Sequence, residues 1–184
     1  MLHRVDGRVR VRRTRGENLG DGNYQGVVAY GGGSVHVWGA IHYHGKPDIR
    51  ILDQNVTGPL YLDILEHSLV PNMRLHYGNN WIMVDDNAPP HRANVVQQYI
   101  EREDITRLDW PPYSPDMNPI EHMWDQMGHR LEEVDPQPQT LRELGVLLAD
   151  LWQQIPIQRC QTLIDSMPRR VRTLADARGG NTRY

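Results

Sequence analysis

The chain has 184 residues, of which 39% are hydrophobic and 23% charged, and its formal net charge is −3. This length and composition predict a globular protein with a real core, and no apolar run approaches the roughly 18–20 residues of a membrane span. A single cysteine, Cys160, excludes an intrachain disulfide and a multi-thiolate zinc site, as expected in a reducing intracellular compartment.

The charges are unevenly distributed along the chain. All but one of the 20 basic residues are arginines, the exception being Lys46, and the arginines crowd both ends around an acidic middle. Basic ends around an acidic centre are typical of a protein that binds phosphate groups and metal ions. The alternative is that the arginines are solvated and have no partner. The candidate nucleic-acid contacts are Arg8, Arg10, Arg12, Arg13, Arg169 and Arg170.

Two hairpins are predicted in the first third of the chain. Asp6-Gly7, between alternating valines and arginines, is typical of a tight turn, whereas residues 16–33 are glycine-rich and predict a loop. Residues 34–44 are rich in β-branched and aromatic side chains. The turn-forming residues 45–47 then return the chain along residues 48–53.

A strand–helix–strand pattern follows in the middle of the chain. Residues 81–86 predict a short apolar strand, and residues 92–100 predict a helix with one apolar side. Residues 105–110 predict a second short strand, which Pro111-Pro112 ends.

The remaining elements are predicted helices. One opens at Thr57 or Gly58. Another opens at Asn118, with Pro119 first and Glu121 third. After a linker over residues 134–139, Thr140 begins a capping box, and a last helix from about 156 to 166 ends before a basic tail. Hairpins, then βα units, then helices predict an α/β or α+β fold with a mixed sheet.

Two carboxylates lie where a metal site is expected. Asp86 follows the apolar strand WIMVD and precedes the stiff segment NAPP, and ligands in open α/β sheets gather at the carboxyl ends of strands. Glu121 follows after 34 intervening residues, at a helix start. For Asp86 the alternative is a turn or capping role. For Glu121 the alternative is a capping-box role, which its spacing from Asn118 alone favours.

Other acidic and histidine residues are weaker candidates. Asp85 points to the opposite face from Asp86 in a strand and is not counted as a ligand, and Asp116 is interpreted as a turn former. His42 and His44 share one face of a strand, but no His-x-x-x-His pair or second cysteine supports a zinc site. His91 is a candidate for orienting a carboxylate or touching phosphate.

The chain resembles the Tc-one/mariner transposases of the DDE integrase class. The resemblance rests on VDGRVRVRR, SVHVWGAI, VDDNAPPH, WPPYSPDMNPIEHMW and the closing SMPRR and ARGGNTRY segments. It covers nearly the whole chain and is loosest in residues 16–33 and 134–140.

The resemblance implies a ribonuclease-H-like mixed sheet flanked by helices, with an Asp-Asp-Glu triad that binds two Mg²⁺ or Mn²⁺ ions. Asp86 and Glu121 match the second and third triad residues, so both are predicted to be catalytic and metal-binding. It also implies DNA as the partner, homodimerisation and a nuclear location, with no membrane and no small-molecule cofactor. Residues 1–133 are expected to form the catalytic core and residues 134–184 a C-terminal helical extension.

One departure from the family pattern affects the expected activity. The family's first Asp lies on the first core strand, before the Val-Asp-Gly-Arg hairpin, and this chain begins very close to that hairpin. We therefore expect this chain to lack that Asp, that strand and the paired helix-turn-helix domains, and neither Asp6 nor Asp21 is a credible substitute. The leading hypothesis is a truncated transposase catalytic domain that is inactive alone. The alternatives are a co-opted, non-catalytic nucleic-acid- or protein-binding module and an unstable genomic remnant.

Overall fold

The computed structural model describes residues 34–110 and 117–176. The predicted turn at residues 6–7, the loop at residues 16–33 and the N-terminal arginines lie outside these ranges. The described elements, in chain order, are β1 (His36–Trp38), β2 (Arg50–Leu52), α1 (Gly58–Ile64), a π-helical turn (Leu65–Leu69), α2 (Val70–Tyr77), β3 (Ile82–Met83), a 3₁₀ turn (Pro89–Arg92), α3 (Asn94–Arg102), β4 (Thr106–Arg107), α4 (Glu121–Glu132), α5 (Leu141–Gln153), α6 (Ile157–Asp165) and α7 (Met167–Asp176).

The second predicted hairpin is confirmed. Strands β1 and β2 pair antiparallel, with His36 opposite Leu52. The chain reverses earlier than the predicted turn at residues 45–47, because His42 and Gly45 exchange backbone hydrogen bonds of 2.8 and 3.1 Å. Gly45 closes this turn with a φ of +153°, a conformation that glycine adopts without strain.

The two predicted middle strands are also confirmed, although both are shorter than expected. Strands β3 and β4 pair parallel, with Ile82 opposite Thr106, and a bond of 2.9 Å from the Leu108 N–H to the Met83 carbonyl continues the pairing. Helix α3 supplies the crossover that a parallel pair requires. In the described residues the two pairs form separate two-stranded sheets, one antiparallel and one parallel.

A helical run from α1 to α2 is continuous through a π-helical turn. Thr57 caps its start, accepting a 3.4 Å hydrogen bond from the Leu60 N–H, as the sequence predicted. The sequence did not predict the π turn, which immediately precedes α2, a helix with Pro71 as its second residue. Proline has no N–H for the normal helical hydrogen bond, so a wider turn accommodates it.

The C-terminal helices agree with the prediction in one respect and correct it in another. Thr140 Oγ1 accepts from the Glu143 N–H at 3.1 Å, and the Glu143 carboxylate accepts from the Gln139 N–H at 2.7 Å, so the capping box is confirmed with its return bond one residue early. The predicted helix end near residue 166 is confirmed, but the sequence did not predict the helix that follows it, because α7 begins at Met167. Pro168 is compatible with this helix because the first helical turn leaves its N–H groups unpaired in any case. Residues 177–184 lie outside the described ranges.

The described residues bury two hydrophobic clusters. One lies between β1 and helices α4–α6, and its fully buried members include Met123, Met127 and Trp152. The other lies among α1–α3 and β3. Because α5 and α6 share the first cluster with β1, they position α4. The domain division at residue 133 stays a prediction.

In the described residues, no helix is long and apolar enough to cross a membrane.

Candidate active site

Asp86 lies just beyond the carboxyl end of β3, as the sequence predicted. Its Oδ1 accepts a 3.0 Å hydrogen bond from the Ala88 N–H and lies 2.9 Å from His91 Nδ1. The close contact with His91, together with the bond from Ala88, lowers the pKa of Asp86 to about 2. The turn role left open by the sequence is therefore present, and 62% of the side chain remains exposed for a ligand.

Asp85 has the opposite environment, since its side chain is only 4% exposed. Arg92 donates to both carboxylate oxygens, with Nη2–Oδ1 at 2.9 Å and Nη1–Oδ2 at 3.2 Å, and Arg107 Nη1 lies 3.5 Å from Oδ2. A buried carboxylate is tolerated when it is paired and hydrogen-bonded in this way. Asp85 therefore anchors the strand end and leaves Asp86 to face solvent. The sequence had identified neither arginine as part of the site.

His91 is held tightly beside Asp86. Its ring packs against Tyr61 with centroids 4.1 Å apart, and its carbonyl accepts from Gln97 Nε2 at 2.8 Å and Arg107 Nη1 at 3.2 Å. Burial raises the pKa of Tyr61, and the nearby charges of Asp85 and Asp86 raise it further. Tyr61 thus stays a neutral phenol that fixes the imidazole. Sequence reasoning missed this role because Tyr61 reads as an ordinary apolar helix residue.

Glu121 is the first residue of α4, whereas the capping-box prediction made it the third helical residue. The turn before the helix is held by hydrogen bonds from the Glu121 N–H to the Asn118 carbonyl at 3.3 Å and from the Ile120 N–H to Asn118 Oδ1 at 3.4 Å. The prediction of its helical position was therefore wrong, because residues 119–120 form a turn before the regular helix starts.

The carboxyl of Glu121 is half-buried in an unfavourable electrostatic environment. Burial raises its pKa, and the charges of Asp125 and Asp86 raise it further. None of the described residues donates a hydrogen bond to it. Asp86 at the strand end and Glu121 at the helix start therefore interact electrostatically, and burial is the larger cause of the raised pKa.

This pair of carboxylates fits a hard divalent cation. Carboxylate oxygens are the ligands that Mg²⁺ and Mn²⁺ prefer, and water and phosphate oxygens commonly complete their coordination. A divalent cation beside them would favour the ionised form of Glu121, against the burial that mainly raises its pKa. Within residues 34–110 and 117–176, no group of three or more His, Cys, Asp or Glu side chains is arranged to hold a metal.

The predicted DNA contacts have different environments. Arg169 is exposed, whereas Arg170 is only 3% exposed and donates from Nε to Ser166 Oγ at 2.8 Å. A phosphate contact by Arg170 requires release of that side chain. Arg8, Arg10, Arg12 and Arg13 lie outside the described residues. All these assignments, with that of His91, stay predictions.

His42 and His44 do not join the carboxylate pair. They cluster with His76 and Tyr77, and the ring centroids of His42 and His76 are 4.7 Å apart. Burial lowers the pKa of His42, and the neighbouring His76 lowers it further. The described residues of this cluster form no metal site, and the zinc alternative gains no support.

Comparison with known proteins identifies the class to which this fold and site belong. The family model for the DDE superfamily endonucleases matches residues 8–144. The catalytic domain of Mos1 mariner transposase superposes with a TM-score of 0.72 at 20% identity, covering 80% of this chain and 76% of that one. A pre-cleavage Mos1 transpososome gives 0.76 at 17% identity, covering 94% and 51%. The chain belongs to the DDE superfamily endonucleases, and its fold is the predicted ribonuclease-H-like fold.

Curated relatives narrow the resemblance to the Tc-one/mariner transposases. The Tcb1 transposase of Caenorhabditis briggsae is 35% identical over 180 residues, covering 98% of this chain and 65% of the relative. The Tcb2 transposase of the same organism is 36% identical over 184 residues, covering 100% and 66%. These relatives confirm the resemblance, and the chain spans slightly less than two thirds of their length.

Proposed function

We propose that this chain is a transposase catalytic domain that takes part in metal-dependent DNA strand cleavage and transfer. The observation that carries the proposal is the pair of carboxylates Asp86 and Glu121, which come from a strand end and a helix start and interact electrostatically, in a chain of the DDE endonuclease family. Two carboxylates from different elements match the chemistry of phosphoryl transfer on a divalent metal.

Asp86 and Glu121 would hold Mg²⁺ or Mn²⁺, since the solved structures of the Mos1 catalytic domain include one with Mg and one with Mn. When bound, the ions supply the charge that activates the attacking oxygen and stabilises the leaving oxygen of a phosphodiester. His91 holds the Asp86 carboxylate in place, and Tyr61 holds His91. Asp85, neutralised by Arg92, fixes the strand end from which Asp86 projects.

DNA is the proposed partner, with a second copy of the chain. Solved Mos1 complexes include a paired-end complex with the left transposon end and a strand transfer complex, which supports both proposals for a chain of the same fold. We also propose a nuclear location, where a fluorescent fusion of the chain would be found. A fusion that is excluded from nuclei would contradict this.

The first experiment is a Mn²⁺ titration followed by electron paramagnetic resonance. The wild-type chain is expected to bind Mn²⁺, and Asp86→Asn and Glu121→Gln are each expected to weaken binding by about tenfold or more, since each removes a charged ligand. Glu132→Gln is the matched control, because Glu132 lies on the same helix as Glu121 and its side chain is 79% exposed. Equal Mn²⁺ affinity in all four proteins would overturn the proposal.

A second experiment examines strand cleavage directly, with the same four proteins on supercoiled plasmid and Mn²⁺. Nicking by wild type and Glu132→Gln, lost in Asp86→Asn and Glu121→Gln, would establish the proposed chemistry and contradict the sequence-based hypothesis of an inactive domain. DNA binding without any Mn²⁺ affinity would instead favour the non-catalytic binding module.

A further inference from the structure

Asn87, directly after Asp86, has an unusual backbone conformation and two defined bonds. Its φ is +62°, in the left-handed region that few residues other than glycine and asparagine adopt readily. Its N–H donates to Asp85 Oδ1 at 3.0 Å, and its side-chain Nδ2 donates to the Trp110 carbonyl at 2.6 Å. Asn87 thus connects two segments that are distant in sequence.

The hydrogen bond from Asn87 to the Trp110 carbonyl lies where the two paired strands separate. Parallel pairing of β3 and β4 continues as far as the bond from the Leu108 N–H to the Met83 carbonyl. Beyond that point both segments leave the sheet. The Asn87 amide bonds the two departing segments to each other, at a buried residue, since Trp110 is only 7% exposed.

The two segments are the ones that carry the proposed metal ligands. Asp86 immediately precedes Asn87, and Trp110 belongs to the segment whose continuation leads to Glu121 at the start of α4. We propose that Asn87 is a positioning residue for the metal site, because its amide fixes the Asp86 loop against the segment that leads to Glu121. This inference rests on the proposed function.

Metal affinity is sensitive to such indirect support. A cation gains little from two carboxylates unless they are held at a fixed separation before it binds. Groups that orient metal ligands typically contribute about 10–100-fold to affinity or activity. If Asn87 only stabilised the fold, its loss would lower the unfolding temperature without changing affinity in the folded protein.

The test compares Mn²⁺ affinity and thermal unfolding in the wild-type chain and three variants. Asn87→Gly removes the amide and keeps the left-handed backbone free of strain. Asn87→Asp also tolerates that backbone and removes the donor, while its added negative charge by itself would raise affinity. Gln137→Ala is the matched control, because Gln137 Nε2 donates to the Val134 carbonyl at 2.7 Å in the linker before α5.

We expect Asn87→Gly and Asn87→Asp to lose about tenfold or more in Mn²⁺ affinity at a temperature where both are folded. Gln137→Ala should keep wild-type affinity even if its unfolding temperature falls. If Asp86→Asn weakens Mn²⁺ binding but both Asn87 variants keep an affinity within twofold of wild type, the inference is overturned. Absence of Mn²⁺ binding in the wild-type chain would overturn the proposed function, and this inference with it. If Asn87→Gly does not fold, Asn87→Asp alone decides.

Discussion

Replacing Asp85 with asparagine tests whether the two adjacent acidic residues at the end of β3 have different roles. Asp85 is buried in the fold and Asp86 is the predicted metal ligand, and their side chains are 4% and 62% exposed. Asp85→Asn should therefore destabilise the protein, whereas Asp86→Asn should mainly remove metal affinity. The two residues are adjacent in the sequence, yet the same substitution is expected to have a different effect at each.

The expected magnitude follows from what the substitution leaves behind. Removing one member of a buried ion pair costs about 3–5 kcal/mol, because the partner's charge stays buried without compensation. Arg92 and Arg107 are 33% and 18% exposed, so water partly compensates them. The amide introduced by Asp85→Asn would still accept a hydrogen bond from the Asn87 N–H. We therefore expect a loss of about 2–4 kcal/mol in the free energy of unfolding.

Urea denaturation and thermal unfolding, followed by circular dichroism without divalent metal, measure this loss. For a chain of this length it corresponds to a fall of about 5–15 °C in the unfolding temperature. Glu66→Gln is the control, because it breaks an exposed ion pair in which Arg102 Nη2 lies 3.4 Å from Glu66 Oε1. That pair should contribute less than about 1 kcal/mol.

An Asp85→Asn variant as stable as Glu66→Gln would refute the assignment of Asp85 to the fold. A double-mutant cycle with Arg92→Gln sharpens the result. If the paired contact is the cause, the double variant should lose much less than the sum of the two single losses.

Three further predictions concern stability. Gly39→Ala should lower the free energy of unfolding by about 1–3 kcal/mol, because its Cβ would lie 2.7 Å from Trp124 Cη2 and 3.2 Å from Trp152 Cη2 in the core; an unchanged urea midpoint would contradict this. Thr140→Ala should cost about 1 kcal/mol through loss of the α5 cap, measured in the same titration. His42 has a folded-state pKa below its usual 6.5, so its contribution to stability is present above pH 6.5 and is lost as the pH falls through the lowered pKa. As the pH falls below 6.5, the free energy of unfolding should decrease less in His42→Gln than in wild type. An equal decrease in both proteins would contradict the lowered pKa of His42.

Features whose physical cause lies within a few neighbouring residues were predicted from the sequence, and features that depend on distant residues were not. The hairpin of β1 and β2, the cap at Thr57 and the capping box at Thr140 were predicted because turn and cap chemistry lies within a few residues. Helix α7 was missed because a proline was interpreted as ending a helix, although Pro168 lies in the first turn of a new one.

The candidate site shows the same limit more clearly. Residue type and the family resemblance together predicted Asp86 and Glu121 as metal ligands, and that assignment stays a prediction. Neither indicated that Arg92 and Arg107 neutralise Asp85 or that Tyr61 packs on His91. Those contacts join α1, the 3₁₀ turn, and β4, and only the folded chain brings them together. A sequence reader could have noticed Asn87, since asparagine is favoured in left-handed turns, but its bond to Trp110 is a tertiary contact.

The neighbouring arginines of α7 give a last prediction, because the sequence treated them as equivalent and the structure separates them. Arg169 is exposed, whereas Arg170 is 3% exposed and bonded to Ser166 Oγ. If the proposed DNA binding is correct, Arg169→Ala should reduce the slope of log affinity against log salt by about 0.9, the value for one phosphate contact. Arg170→Ala should lower the free energy of unfolding by about 1–3 kcal/mol through lost packing and hydrogen bonding.

Fluorescence anisotropy with labelled duplex DNA over a range of salt concentrations, together with urea denaturation, measures both effects. Arg142→Ala serves as the control, since Arg142 is an exposed arginine at the start of α5. If Arg170→Ala lowers the salt slope without loss of stability, the buried side chain is available to phosphate in solution and its structural assignment fails. If Arg169→Ala leaves the slope at the wild-type value, α7 is not part of the DNA-binding surface. The phosphate contacts must then come from other arginines, because the metal site alone cannot account for strong salt dependence.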